Sequence, residues 1–238
     1  MLIRGIFHVD SVYIWLALDV ANVNILCFSP PMTDPRPYHH GHLREELLNA
    51  ALALISQVGP QAFTLREVAR RAGVSHNAPY RHFRDKDELL AAVARQGFER
   101  LNSAMKRSAS QGTTPQERLR LCGRGYISFA LRWPQHFLVM FDLPSTRDKY
   151  PKYAGAGEEA FATLLRLVVE CQEAGGLGSG EPEPLAFMAW SMVHGIAKLA
   201  SSSHLPFSKS GILDFADAAS RCLAAGMAKA VANQSTGS

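Results

Sequence analysis

The chain has 238 residues, 47% of them apolar and 19% charged, with 25 Lys and Arg against 21 Asp and Glu. This balance builds a packed core rather than a disordered chain, and the length suits one large domain or two small ones. Cys27, Cys122, Cys171 and Cys222 lie far apart with no CxxC spacing, so neither a disulfide framework nor a zinc site is indicated.

The opening segment differs in character from the rest. An apolar run from Val12 to Phe28 is interrupted by Asp19, Asn22 and Asn24. It falls short of the ~20 apolar residues a membrane span needs, and an Asp near a bilayer centre costs about 2.5–3.5 kcal/mol. No A-x-A-like cleavage site follows, so a signal peptide is not expected either. Met32 precedes the polar stretch TDPRPYHHGH and is the expected true start, with 1–37 an over-called or poorly ordered extension. His39, His40 and His42 cluster there without carboxylate or Cys partners. They read as a solvated tract, and no metal is expected.

From Leu43 onward the periodicity is helical. Leu43, Leu47, Ala51, Leu54, Ile55 and Val58 recur at three- and four-residue steps, and Gly59-Pro60 stops this helix. Thr64 is placed to cap LREVARRA, Gly73 to end it, and Ser75 to cap a third helix, HNAPYRHF. A fourth helix begins near Asp85 and carries Leu89, Leu90, Val93, Phe98 and Leu101. The polar loop SASQGTT closes a unit over residues 38–105. The remainder, 106–238, reads as longer helices. These are TPQERLRLCGRGYISFALRW with Thr114 as cap and Pro115 at its first position, then PQHFLVMF, then GEEAFATLLRLVVECQEAG. PLAFMAWSMVHGIAKLASS and ILDFADAASRCLAAGMAKAVA follow, separated by HLPFSKSG. No strand pattern persists and no repeat is visible, so the expected fold is all-α.

The two short helices around Gly73 form a helix-turn-helix pattern. Ala69 is small where the second helix crosses the first, Gly73 makes the turn, Val74 plugs the joint, and Val68 and Phe83 anchor the pair. Six basic residues (Arg66, Arg70, Arg71, Arg81, Arg84, Lys86) and two acidic ones (Glu67, Asp85) fall between Arg66 and Lys86. Their surplus equals the +4 of the entire chain. A positive surplus placed on such a motif points to a duplex phosphate backbone.

The stretch FTLREVARRAGVSHNAPYRHFRDKDELLAAV resembles the DNA-binding domain of the TetR/AcrR family of bacterial transcriptional regulators. The second half is similar to that family's ligand-binding and dimerisation domain. Trp190, His194 and Gly195 in AWSMVHGIAKL resemble the W-x-x-x-H-G pattern of one subgroup's C-terminal domain. The resemblance implies a DNA-binding repressor, a homodimer on a palindromic operator of double-stranded DNA, in the cytoplasm and with no membrane association. It also implies release by a small, largely apolar effector. It places Arg66, His76, Asn77 and Arg81 at base edges, and Thr64, Ser75, Tyr80, His82 and Lys86 at phosphates. Pro79 stands where many members have an aliphatic residue, and is expected to remove only the first bond of the reading helix.

Tyr126, Phe129, Trp133, Phe137, Met140, Phe141, Phe161, Trp190 and His194 are the candidates for an effector cavity, with ordinary core packing as the alternative for each. Met188, Met192, Phe215, Ala219, Leu223 and Met227 face either a twin chain or their own core. The absence of GxSxG, Walker A and HExxH patterns argues against an enzyme, and no cofactor is expected. Gly175 to Gly180 follows a helix, the wrong context for a phosphate cradle. A helical protein-interaction adaptor, or a small-molecule-binding protein without operator recognition, is the competing reading.

Overall fold

The computed structural model describes residues 3–9, 12–18, 42–142 and 149–235, and the chain divides into two units, Met1–Gly41 and His42–Ser238. In the first unit, β1 (Ile3–Val9) pairs antiparallel with β2 (Val12–Leu18), in a register that sets Val9 opposite Val12 and Ile3 opposite Leu18. The sequence reading names no strand in this segment; its remaining residues up to 41 lie outside the described ones. Both segments are rich in β-branched and aromatic residues, and only Asp10 and Ser11 separate them, which is hairpin spacing. Met32, His39 and His40 lie outside the described residues.

The second unit is all-α. Helix α1 (Leu43–Val58) has Glu45 and Glu46 in its first turn, where the helix dipole favours negative charge. It buries Leu47, Ala51, Leu54 and Ile55 of the stripe read from the sequence, and Leu48 besides, whereas Leu43 is half-buried and Val58, at the helix end, is exposed. Next come α2 (Leu65–Arg71), a 3-10 turn (Ala78–Arg81) and the long α3 (Lys86–Ala109), which takes in Ser108 and Ala109 of the expected loop. Thr114 caps α4 (Pro115–Arg132) by accepting the Glu117 N–H, with Pro115 at the first position as expected. Helices α5 (Pro134–Asp142), α6 (Ala156–Glu173), α7 (Pro182–Ser201) and α8 (Lys209–Ser235) complete the unit. Helix α8 starts inside the expected breaker, where the Ser208 hydroxyl accepts the Gly211 N–H.

Two hydrophobic cores form. One joins α1, α2 and the start of α3 around Leu47, Val68, Phe83, Leu89 and Val93. The other gathers α3, α4, α6, α7 and α8 around Leu101, Tyr126, Phe129, Val168 and Ala197. Helix α3 contributes to both, and α5 sends Val139 to the first and Phe137 and Met140 to the second. A Cβ on Gly97 would collide with the Met140 side chain, so the close packing of that methionine between α3 and α5 uses the space glycine leaves.

Candidate nucleic-acid interface

A capping box starts α2. Glu67 gives its N–H to the Thr64 hydroxyl (3.3 Å), and its carboxylate accepts both the Thr64 N–H (2.7 Å) and the Thr64 hydroxyl proton (2.9 Å). The Thr64 hydroxyl therefore reaches a phosphate only by surrendering its bond to Glu67. Val68 and Ala69 are fully buried, and Gly73 turns the chain at φ +69°, where nothing crowds a Cβ but an L side chain would be strained. The Val74 N–H closes the turn on the Ala69 carbonyl (3.0 Å).

The reading segment departs from expectation. Instead of an α-helix capped by Ser75, residues 78–81 form one 3-10 turn with Asn77 at its start and no side-chain cap. Pro79 is the physical cause. It has no N–H to give the Ser75 carbonyl, so Ala78 bonds that carbonyl (2.9 Å), Tyr80 bonds Asn77 (3.3 Å), and His82 bonds Pro79 (2.9 Å). Proline thus resets the hydrogen-bond pattern of the segment rather than deleting a single bond. Ala78 and Pro79 point inward, while Ser75, His76, Asn77, Tyr80 and Arg81 are exposed. Arg66 is exposed on α2, and His82 is half-buried, tilted against Phe83. Among the described residues no carboxylate pairs with Arg66, Arg70 or Arg81. Lys86 is half-buried, donates to the Gln61 carbonyl (2.8 Å) and lies 5.3 Å from the Phe63 ring centroid.

A contact without any sequence signal braces the start of α3. The Tyr150 hydroxyl donates to the Asp85 carboxylate (2.6 Å), Lys149 pairs with Asp87 (2.6 Å), and Lys152 pairs with the buried Glu88. Glu88 also accepts the Arg84 N–H (2.7 Å). Burial pushes the Glu88 carboxyl up, but the bonds from Lys152 and Arg84 outweigh it and hold the group below its ordinary value.

A second feature is an apolar cavity of about 640 Å³ among α3, α4, α6, α7 and α8. Of the nine candidates, Tyr126, Phe141, Phe161 and Trp190 line it. Phe129, Trp133, Phe137 and Met140 do not; they pack in or against the core, and Phe129 is fully buried. His194 stands behind the wall, its Nδ1 2.9 Å from the Tyr126 hydroxyl, which also accepts the Trp190 Nε1–H (3.3 Å). Burial raises the Tyr126 phenol pKa well above its usual value, so it stays protonated. Phe98, Leu101 and Leu165 also line the cavity; their helical stripes look the same whether a core or a cavity lies opposite.

On α7 and α8, Met188, Leu199 and Phe215 are exposed, as is Phe187, which also lines the cavity beside Phe161. Met192, Leu223 and Met227 instead line the cavity, and Ala219 packs against the core. No helix among the described residues is long and apolar enough to cross a membrane.

A capped helix, a tight glycine turn and an exposed 3-10 reading turn, set on a helical body with an apolar cavity, make the architecture of a helix-turn-helix transcriptional regulator. The family model "Bacterial regulatory proteins, tetR family" matches residues 47–93, and "Tetracyclin repressor-like, C-terminal domain" matches 119–225. The chain belongs to the TetR family. It is similar to the HTH-type transcriptional repressor KstR of Mycolicibacterium smegmatis, 40% identical over 76 residues. That match spans 32% of this chain and 37% of KstR, little more than a third of the relative's length. Among solved structures, a protein of unknown function from Rhodococcus sp. RHA1 is 34% identical with a TM-score of 0.70, over 82% of this chain and 100% of that one. The TetR family regulator PfmR of Thermus thermophilus shares the fold at a TM-score of 0.60 and 18% identity, over 74% of this chain and 96% of PfmR.

Proposed function

We propose that this protein is a cytoplasmic repressor that binds a palindromic operator as a homodimer and leaves it when a small apolar effector fills the cavity among α3, α4, α6, α7 and α8. The observation that carries this reading is the reading turn itself. Ala78 and Pro79 anchor it, His76, Asn77, Tyr80 and Arg81 are exposed, and so is Arg66 on α2, which no described carboxylate pairs. Asn suits the N6/N7 edge of adenine and Arg the O6/N7 edge of guanine, each good pair contributing about 1–3 kcal/mol of discrimination. Tyr80, His82 and Lys86 serve the backbone, along with Ser75 and, once it leaves Glu67, Thr64.

One such head reads only a few base pairs, so selective binding needs two related by a two-fold axis. The exposed apolar faces of α7 and α8, with Met188 and Phe215, supply the pairing surface. An effector that prefers a body with differently spaced heads releases DNA by shifting the population.

Selection of bound fragments from a random duplex pool tests the reading. Recovery of an inverted repeat is the expected result, and Asn77→Ala should then relax preference at one position of each half-site. A pool that stays unenriched at low salt contradicts it.

A further inference from the structure

Beside the reading turn lies a groove of about 410 Å³ that no part of the helix-turn-helix pattern accounts for. Tyr80, Arg81 and Arg84 form one wall, and Lys149, Tyr150 and Lys152, from the second half of the chain, form the other. Among the described residues Glu88 is the single carboxylate lining it, and it is already bonded to the Arg84 N–H and to Lys152. Four cations thus line a space whose single lining carboxylate is satisfied, while Asp85 and Asp87, outside the lining, pair with Lys149. Resting on the DNA-binding reading above, we propose that this groove holds a backbone phosphate of the DNA flanking the half-site, so that Lys149 and Lys152 extend the DNA-binding surface beyond the helix-turn-helix.

The chemistry fits a phosphate. Arg81 and Arg84 offer forked N–H donors and the Tyr80 hydroxyl a further one, while Lys149, held by Asp87 and Asp85, and Lys152, held by Glu88, add positive charge to the opposite wall. The Arg84 guanidinium stacks 5.1 Å from the Tyr150 ring centroid, and the Tyr150 hydroxyl is held by Asp85. This fixes the two walls relative to each other before DNA arrives. Lys149 and Lys152 keep their charge at neutral pH, because the bonds to Asp87 and to Glu88 raise their pKa values. The groove is open and its lysines are already paired, so a free phosphate gains little there. A phosphate delivered by a duplex that other contacts already hold needs no further loss of translational freedom.

The test compares wild type, Lys149→Gln and Asp87→Asn for binding to a mixed-sequence duplex across a salt series, with thermal melts of each variant as a check on folding. Lys149→Gln should weaken binding about three- to tenfold at ~0.1 M salt and lower the slope of log affinity against log salt by about one, the signature of one lost phosphate contact. Asp87→Asn removes the shorter of that lysine's two carboxylate contacts, leaving Asp85 at 3.6 Å, and should tighten binding. The two variants therefore move in opposite directions. If both weaken binding with the slope unchanged, or if Lys149→Gln changes nothing, the groove is only a brace for α3 and the proposal is overturned. If inorganic phosphate at constant ionic strength displaces DNA from wild type but not from Lys149→Gln, the groove is a free-phosphate site, which also overturns it. Absence of any DNA binding by wild type overturns the DNA-binding reading itself, and this groove with it.

Discussion

At the scale of single residues, the buried polar groups are where pH acts. His136, on α5, is almost fully buried against α3, and its Nε2 lies 2.9 Å from the Gln96 side-chain oxygen, to which it donates. Burial, and then the nearby Arg100 charge, pull its pKa down from 6.5 to about 4. Below about pH 6.5 the unfolded chain takes up a proton on this ring and the folded one does not. The contribution of His136 is therefore complete above the unfolded value and is lost as pH falls toward 4. Between pH 7 and 5 the loss is on the order of 2 kcal/mol. A urea-midpoint series over that window should slope for wild type and flatten for His136→Asn; equal slopes would show that the ring is protonated in the fold. Glu88 acts lower: its depressed pKa gives stability that is present above 4.5 and lost below it, as the pair with Lys152 is neutralised.

At the scale of elements, α2 depends on its first residue. Thr64→Ala removes both the acceptor for the Glu67 N–H and the donor to its carboxylate, at about 1 kcal/mol. Thr64→Ser should retain most of that stability in chemical denaturation. A loss of equal size in both variants would mean that the methyl group, not the capping box, matters. This helix is legible in the sequence because its determinants are local, with Thr64, Glu67 and Gly73 all falling within ten residues. The stripe of α1 and the Thr114–Pro115 start of α4 are legible for the same reason. The reading segment is not, because Ser75, Asn77 and Arg81 look helical until the missing Pro79 N–H is followed through its neighbours. The hairpin β1–β2 has a signal, two β-branched runs two residues apart, which is masked when the segment is taken as one interrupted apolar stretch. The Tyr150–Asp85 contact joins residues 65 apart, and no local pattern announces such a pair.

At the scale of the whole molecule, α3 and α5 tie the two cores together. Helix α3 carries Leu89 and Val93 in the core beneath the reading turn and Leu101 and Met105 in the core beside the cavity. The expected domain boundary at residue 105 falls inside this helix, so one continuous helix runs through both cores. The sequence told which residues of the body are apolar but not which side of α7 and α8 they occupy. Periodicity alone does not distinguish a cavity, a core and a pairing face, and only packing separates the exposed Met188 and Phe215 from the cavity-lining Met192, Leu223 and Met227. That separation makes the proposed dimer testable without disturbing the cavity. Sedimentation of the protein with a duplex carrying its selected inverted repeat measures chains per site, for wild type and for Met188→Arg combined with Phe215→Arg. Wild type should bind as a pair of chains, or a small even multiple, and the double variant should be single in solution and bind the duplex at least tenfold more weakly. One wild-type chain per repeat, or a double variant that still pairs and binds as wild type does, would contradict the account.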